Sequence, residues 1–156
     1  MKTDQLFDAI RIGETAQVES LLNENPELIH EKDARGSTPL LLATYYGHMT
    51  IAEVLMQREG TINAKDASGN TALMGVCFKG YPEIAKMLIQ KGADVNVQNF
   101  NGATALIYAA TFNQKDIIQL LLQNGADPEL KDSRGLKAVD HAKMQGLKDI
   151  VNIFEK

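Results

Sequence analysis

Few side chains in this chain can do chemistry, and their spacing limits what they can do. Three histidines, His30, His48 and His141, are scattered over 156 residues, and a general base needs a partner within hydrogen-bond reach. Asp140 and His141 are adjacent and suggest an acid/base dyad, but side chains one residue apart on a helix do not face each other. Cys77 is the only cysteine. No histidine accompanies it locally to generate a thiolate, so it reads as a packed thiol rather than a nucleophile. A lone cysteine also excludes an intramolecular disulfide and a Cys-rich metal site. Asp33, Asp66 and Asp132 stand far apart along the chain, whereas a metal-binding loop gathers its ligands at short spacings. Each aspartate is therefore expected to hydrogen-bond its own turn. No Walker lysine loop, dinucleotide fingerprint, nucleophile elbow or HExxH string occurs. The reading is of a chain with no catalytic residue, no metal site and no cofactor.

The elements that hold these residues are organised by an internal repeat. Gly36, Gly69, Gly102 and Gly135 stand 33 residues apart each time. The same step links Thr38, Thr71 and Thr104; Leu40, Leu73, Leu106 and Val139; Asp33, Asp66, Asn99 and Asp132; and Ile51, Ile84, Ile117 and Ile150. Several columns locked to one period mark an array of stacked units, each too small to bury its own apolar face.

The phrases DARGSTPLLLATYYGH (33–48), DASGNTALMGVCFKGY (66–81), NFNGATALIYAA (99–110), KGADVN (91–96) and NGAD (124–127) carry a resemblance to the ankyrin repeat family. That resemblance covers almost the whole chain. It implies an all-α solenoid of paired antiparallel helices joined by β-turn or hairpin loops. The single domain 1–156 would comprise about five units: a helix-only N-terminal cap at 1–31, units at 32–64, 65–97 and 98–130, and a truncated C-terminal cap at 131–156. With a cap at each end, the array is expected to be complete.

Taken in order, the first unit has no turn; Leu6, Ala9 and Gly13 are spaced as Leu40, Ala43 and Gly47 are. Val18, Leu21 and Leu22 supply the apolar stripe of its second helix, and Asp4, Asp8, Arg11, Glu14 and Gln17 its wet face. One extra residue in NENPELIHEKD precedes the locked period. In the second unit Thr38 is placed to cap a helix whose first residue is Pro39. Its exit is irregular: Glu59 replaces the glycine found at 92 and 125, and Gly60 follows, so the loop is expected to shift by one residue. Asn113 replaces the glycine between the helices of the fourth unit, a mild exchange because asparagine tolerates positive φ. The family's usual histidine after the helix-starting motif is absent; the column reads Leu41, Met74, Ile107 and Asp140, which predicts apolar packing in three units. His48, after Gly47, implies by resemblance a structural hydrogen bond.

The totals exclude several function classes. The net charge is −4 and there is no Lys/Arg run, which argues against nucleic acid as a partner. The N-terminus lacks the apolar core of a signal peptide, and no apolar run reaches the length that spans a bilayer. The expectation is a cytoplasmic protein that does not engage a membrane.

By the resemblance, recognition resides in the columns that vary, namely the turn tips and the ends of the first helices, which line a concave face. The helix ends read Arg11, Ile12; Tyr45, Tyr46; Phe78, Lys79; Thr111, Phe112; and Met144, Gln145. The chain has four tyrosines, five phenylalanines and no tryptophan. Five of the rings, Tyr45, Tyr46, Phe78, Phe100 and Phe112, fall in these columns, and Tyr108 lies one helical turn before Phe112. Grouped exposed aromatics mark an interaction surface, although rings this close could instead pack on one another and stabilise the stack. The expected partner-binding residues are these six with Arg35, Lys79 and Arg134, the three cations facing acidic groups at the rim. The expected function is a non-enzymatic protein-protein interaction module, a scaffold, inhibitor or regulator that grips a protein or peptide. The alternatives are a bacterial effector acting on a host protein and a small-molecule binder or enzyme using the aromatic groove. The protein is expected to be a monomer, with self-association through the aromatic face as the competing outcome.

Overall fold

The computed structural model describes residues 1–58 and 61–155. Among them are ten α-helices and one short 3-10 helix, with no strand. The helices are α1 (Lys2–Ile12), α2 (Thr15–Glu24), α3 (Pro39–Tyr45), α4 (Met49–Met56), α5 (Ala72–Lys79), α6 (Pro82–Gln90), α7 (Ala105–Thr111), α8 (Lys115–Gln123), α9 (Ala138–Met144) and α10 (Lys148–Glu155). They form successive pairs. The first helices stack on one another as α1, α3, α5, α7 and α9, and second helices pack α2 on α4 and α6 on α8.

Each first helix begins where its threonine satisfies a free amide. The hydroxyls of Thr38, Thr71 and Thr104 accept from the backbone N–H of Leu41, Met74 and Ile107, the N-cap bond that stops the first turn from fraying. Lys137 cannot do this. There the Asp140 carboxylate instead accepts from the Lys137 backbone N–H at 2.9 Å, so Asp140 is a helix-start residue and not a partner of its neighbour His141.

Repetition of apolar columns makes one continuous core running from Leu6 to Ile150. Leu40, Leu73 and Leu106 are buried, as are all four members of the isoleucine column. Val139 is only half-buried. Leu41, Met74 and Ile107 are buried, so apolar packing does replace the missing histidine. The extra residue before the second unit lies beside a feature the period does not show, a 3-10 helix at Pro26–His30 that buries Leu28 and Ile29. Asn113 adopts φ 61°, the left-handed corner expected of it. Glu59 and Gly60, where the loop shift was expected, lie outside the described residues.

The turns are built alike. Asp33, Asp66, Asn99 and Asp132 each use Oδ1 to accept two backbone N–H groups, two and four residues onward, at 2.9–3.0 Å. Successive turns are joined by one backbone hydrogen bond each: the N–H groups of Ala67, Phe100 and Ser133 donate to the carbonyls of Arg35, Ser68 and Asn101. A row of turns therefore runs along one edge of the stacked first helices.

Candidate functional site

The ends of α3, α5 and α7 bring Tyr45, Tyr46, Phe78 and Phe112 onto one face, because the two adjacent columns that close the stacked first helices fall in line. Phe78 is the hub. Its ring centroid lies 4.7 Å from Phe112 and 6.5 Å from Tyr108, both edge-on, and 6.4 Å from Tyr45 with the planes nearly parallel. Tyr46 meets Tyr45 edge-on at 5.9 Å and lies against His48 at 6.3 Å. The rings thus do pack on one another, yet Tyr45, Phe78 and Phe112 keep 37%, 40% and 44% of their surface open. Lys79 reaches across so that its Nζ sits 4.9 Å from the Tyr45 ring centroid, a cation–π contact at an exposed site.

Beside the rings, between them and the row of turns, lies a cleft of about 410 Å³. Arg35, Asp66, Gly75 and Tyr108 line it together with Tyr45 and Phe78. Tyr108 is half-buried and anchored by its hydroxyl, which accepts from Asn99 Nδ2 at 3.1 Å and donates to Asn70 Oδ1 at 3.3 Å. Two sequence-predicted residues stand apart. Phe100 is 72% exposed at a turn tip, over Gly69, and Arg134 occupies the tip of the last turn; neither lines the cleft. The same columns in the end units carry Ile12 and Met144, both exposed. In the sequence Asp66 is placed in a turn and Gly75 is assigned no role, so neither stands out there as a cleft residue.

The remaining titratable groups have structural partners. His48 Nε2 lies 3.2 Å from the Arg11 carbonyl, tying the first unit to the second. Cys77 is fully buried, and burial pushes its thiol up, away from the reactive thiolate. His141 pairs not with Asp140 but with Asp132, nine residues earlier, at 2.7 Å from Nε2 to Oδ2. Burial alone would raise the Asp132 carboxyl, but hydrogen bonds from the Leu136 amide, His141 and the Arg134 amide outweigh it and hold the group below the ordinary carboxylate range. A depressed folded-state value means that this carboxylate's contribution to stability is full above the unfolded value of about 4 and is lost as pH falls through the folded one. Asp132→Asn should accordingly destabilise the protein at pH 7, with a deficit that shrinks as pH is lowered below about 4. Urea midpoints of both proteins measured from pH 7 down to acid check this; a deficit independent of pH would remove the carboxylate from the account.

Turn, capped helix, left-handed corner and second helix thus recur at one period, with the same bonds made by the same columns. A family model of ankyrin repeats (three copies) matches residues 6–99, and a second ankyrin-repeat model (many copies) matches residues 88–142. The chain is an ankyrin-repeat protein. Ankyrin repeats are in general protein-protein interaction modules and typically non-enzymatic. In this ankyrin array no group of three or more His, Cys, Asp or Glu side chains among the described residues could hold a metal ion. No helix among them is long and apolar enough to cross a membrane.

Proposed function

We propose that this ankyrin-repeat protein binds a protein or peptide partner through the face formed by Tyr45, Tyr46, Phe78, Tyr108 and Phe112. The observation that carries this reading is the half-open aromatic chain that spans three consecutive units and borders a cleft. A ring cluster serving only the stack would gain by closing fully. This one leaves more than a third of Tyr45, Phe78 and Phe112 in water, the state of an anchor site awaiting a partner. The helices that carry it are held by the continuous core, so the face is ordered before binding and little conformational entropy is lost on association.

The test is the triple variant Tyr45→Ala/Phe78→Ala/Phe112→Ala, used in quantitative affinity capture from the native cell beside the wild type. Helical circular dichroism and an unfolding midpoint establish that the variant is folded. The expected result is a loss of about tenfold or more in recovery of the proteins bound by the wild type, since central aromatic anchors each carry more than about 1 kcal/mol. Undiminished capture by the folded variant would overturn the reading.

A further inference from the structure

The four turn residues share one design for Oδ1 but differ in what engages the second side-chain atom. In the last unit His141 contacts Asp132 Oδ2 at 2.7 Å. In the fourth, Asn99 Nδ2 donates to Asn70 Oδ1 at 2.8 Å and to the Tyr108 hydroxyl. In the second, Arg11 comes within 3.9 Å of Asp33 Oδ2. Among the described residues neither Asp33 Oδ2 nor Asp66 Oδ2 accepts a hydrogen bond, but Asp66, whose Oδ1 holds the amides of Ser68 and Asn70, also has no cation within 4 Å of its Oδ2. Tyr108 and His141 stand nine positions after their turn residues and reach back to them; the corresponding residues are Leu42 in the second unit, where Arg11 supplies the nearby cation instead, and Gly75 in the third, where no described residue does. A glycine inside a short helix costs about 0.5–1 kcal/mol relative to alanine. A Cβ at this position would meet only Tyr45 Cδ1, at an ordinary 3.7 Å. Packing therefore does not demand the glycine, and its effect is to leave the cleft open down to an unengaged carboxylate oxygen.

We propose that this cleft receives a cationic side chain, arginine or lysine, from the partner. The charged head would sit on Asp66 Oδ2, where the missing internal donor would have been, and the aliphatic stem along the rings of Tyr45, Phe78 and Tyr108. A cation beside aromatic faces and an acidic oxygen gains from both, through the ring quadrupole and a charge-assisted hydrogen bond. Lys79, with its Nζ 4.9 Å from the Tyr45 ring centroid, shows that this ring accommodates an ammonium. Arg11 is held by Asp8 at 2.9 Å and lies near Asp33, which leaves exposed Arg35 as the rim group that opposes an incoming cation. This inference rests on the aromatic face being the binding face and names the chemistry of what enters it.

The probes are Nα-acetyl-arginine methylamide, its neutral isostere Nα-acetyl-citrulline methylamide and Nα-acetyl-glutamate methylamide, titrated into the full chain and followed by amide chemical shifts. The arginine probe should saturate shifts between Asp66 and Phe78 and bind about tenfold more tightly than citrulline, the difference expected of one hydrogen bond to a charged group. Asp66→Asn should erase that preference while leaving the fold intact, because Asn99 shows that an asparagine supports the same turn. Gly75→His should abolish binding by pairing with Asp66 as His141 pairs with Asp132. Arg35→Ala should tighten arginine binding. Equal binding of arginine and citrulline, no saturable shifts at the cleft, or preferential glutamate binding that Arg35→Ala weakens would each overturn the proposal. If the aromatic triple variant loses its partner while Asp66→Asn keeps full affinity, the face stands and the cation is wrong.

Discussion

Leu88→Ala should destabilise the protein by about 2–5 kcal/mol, the range for deleting a fully buried leucine side chain. Leu88 lies on α6 with none of its surface exposed, in one column with Leu55 and Leu121, which are equally buried. These leucines fill the space between successive second helices and the first helices behind them, where no side chain can move in without opening a gap elsewhere. For a domain of this size 1 kcal/mol corresponds to about 2–4 °C, so the thermal midpoint should fall by roughly 4–20 °C. Differential scanning calorimetry or urea unfolding followed by circular dichroism measures it. A loss well under 1 kcal/mol would mean that α6 does not present this face to the core.

The second large effect separates two costs that usually arrive together. Gly69 and Gly135 occupy the same turn position with nearly the same left-handed backbone, φ 81° and 78°. Their surroundings differ. A Cβ on Gly69 would lie 2.9 Å from the backbone nitrogen of Phe100, the amide that joins this turn to the next, whereas one on Gly135 would meet nothing within 4 Å. Gly135→Ala should cost only the conformational penalty of placing an L-residue in that region, about 1–2 kcal/mol. Gly69→Ala should cost more, in total about 2–4 kcal/mol, because the inter-turn hydrogen bond from Phe100 to Ser68 must also shift. Urea midpoints of the two single variants give the comparison, and hydrogen exchange at the Phe100 amide reports the broken contact. Equal destabilisation would show that the turns do not support one another across units.

The fold was legible in the sequence and the detail of the site was not. Gly69 and Gly135 are the same letter in the same column, and the sequence assigns them the same role; only the presence or absence of a following turn makes one crowded and the other open. Leu88 needed no such context, since an apolar residue at helical spacing in a repeating column has nowhere to go but the interface between units. The aromatic face belongs between these cases. Counting from the helix-start threonine places Tyr45 and Phe78 in one column and Phe112 in the next, all at the ends of the first helices. The same count placed Phe100 at a turn tip but could not say that it would stand apart from the other rings, nor that Phe78 would touch both neighbours.

The acid/base pairs make the contrast sharper. Adjacency suggested Asp140 with His141 and helix geometry rejected it, correctly, but the true neighbour of His141 lies nine residues earlier across a turn and a helix start. The same geometry links Tyr108 to Asn99 and leaves Asp66 facing Gly75, a relation invisible until the direction of the first-helix side chains toward the turn is known.

The sequence by itself determined the architecture of this protein: a 33-residue period, helix starts capped by threonine, turns held by an aspartate or asparagine, and an array in which each unit buries its neighbour. These follow from local hydrogen bonding and from hydrophobic periodicity, both of which are written within a few residues of one another. Only the tertiary structure decided which polar atoms find partners. That depends on side chains from separate elements meeting at distances near 3 Å, and a single position in the column, Gly75, changes the answer for one unit while the fold stays the same.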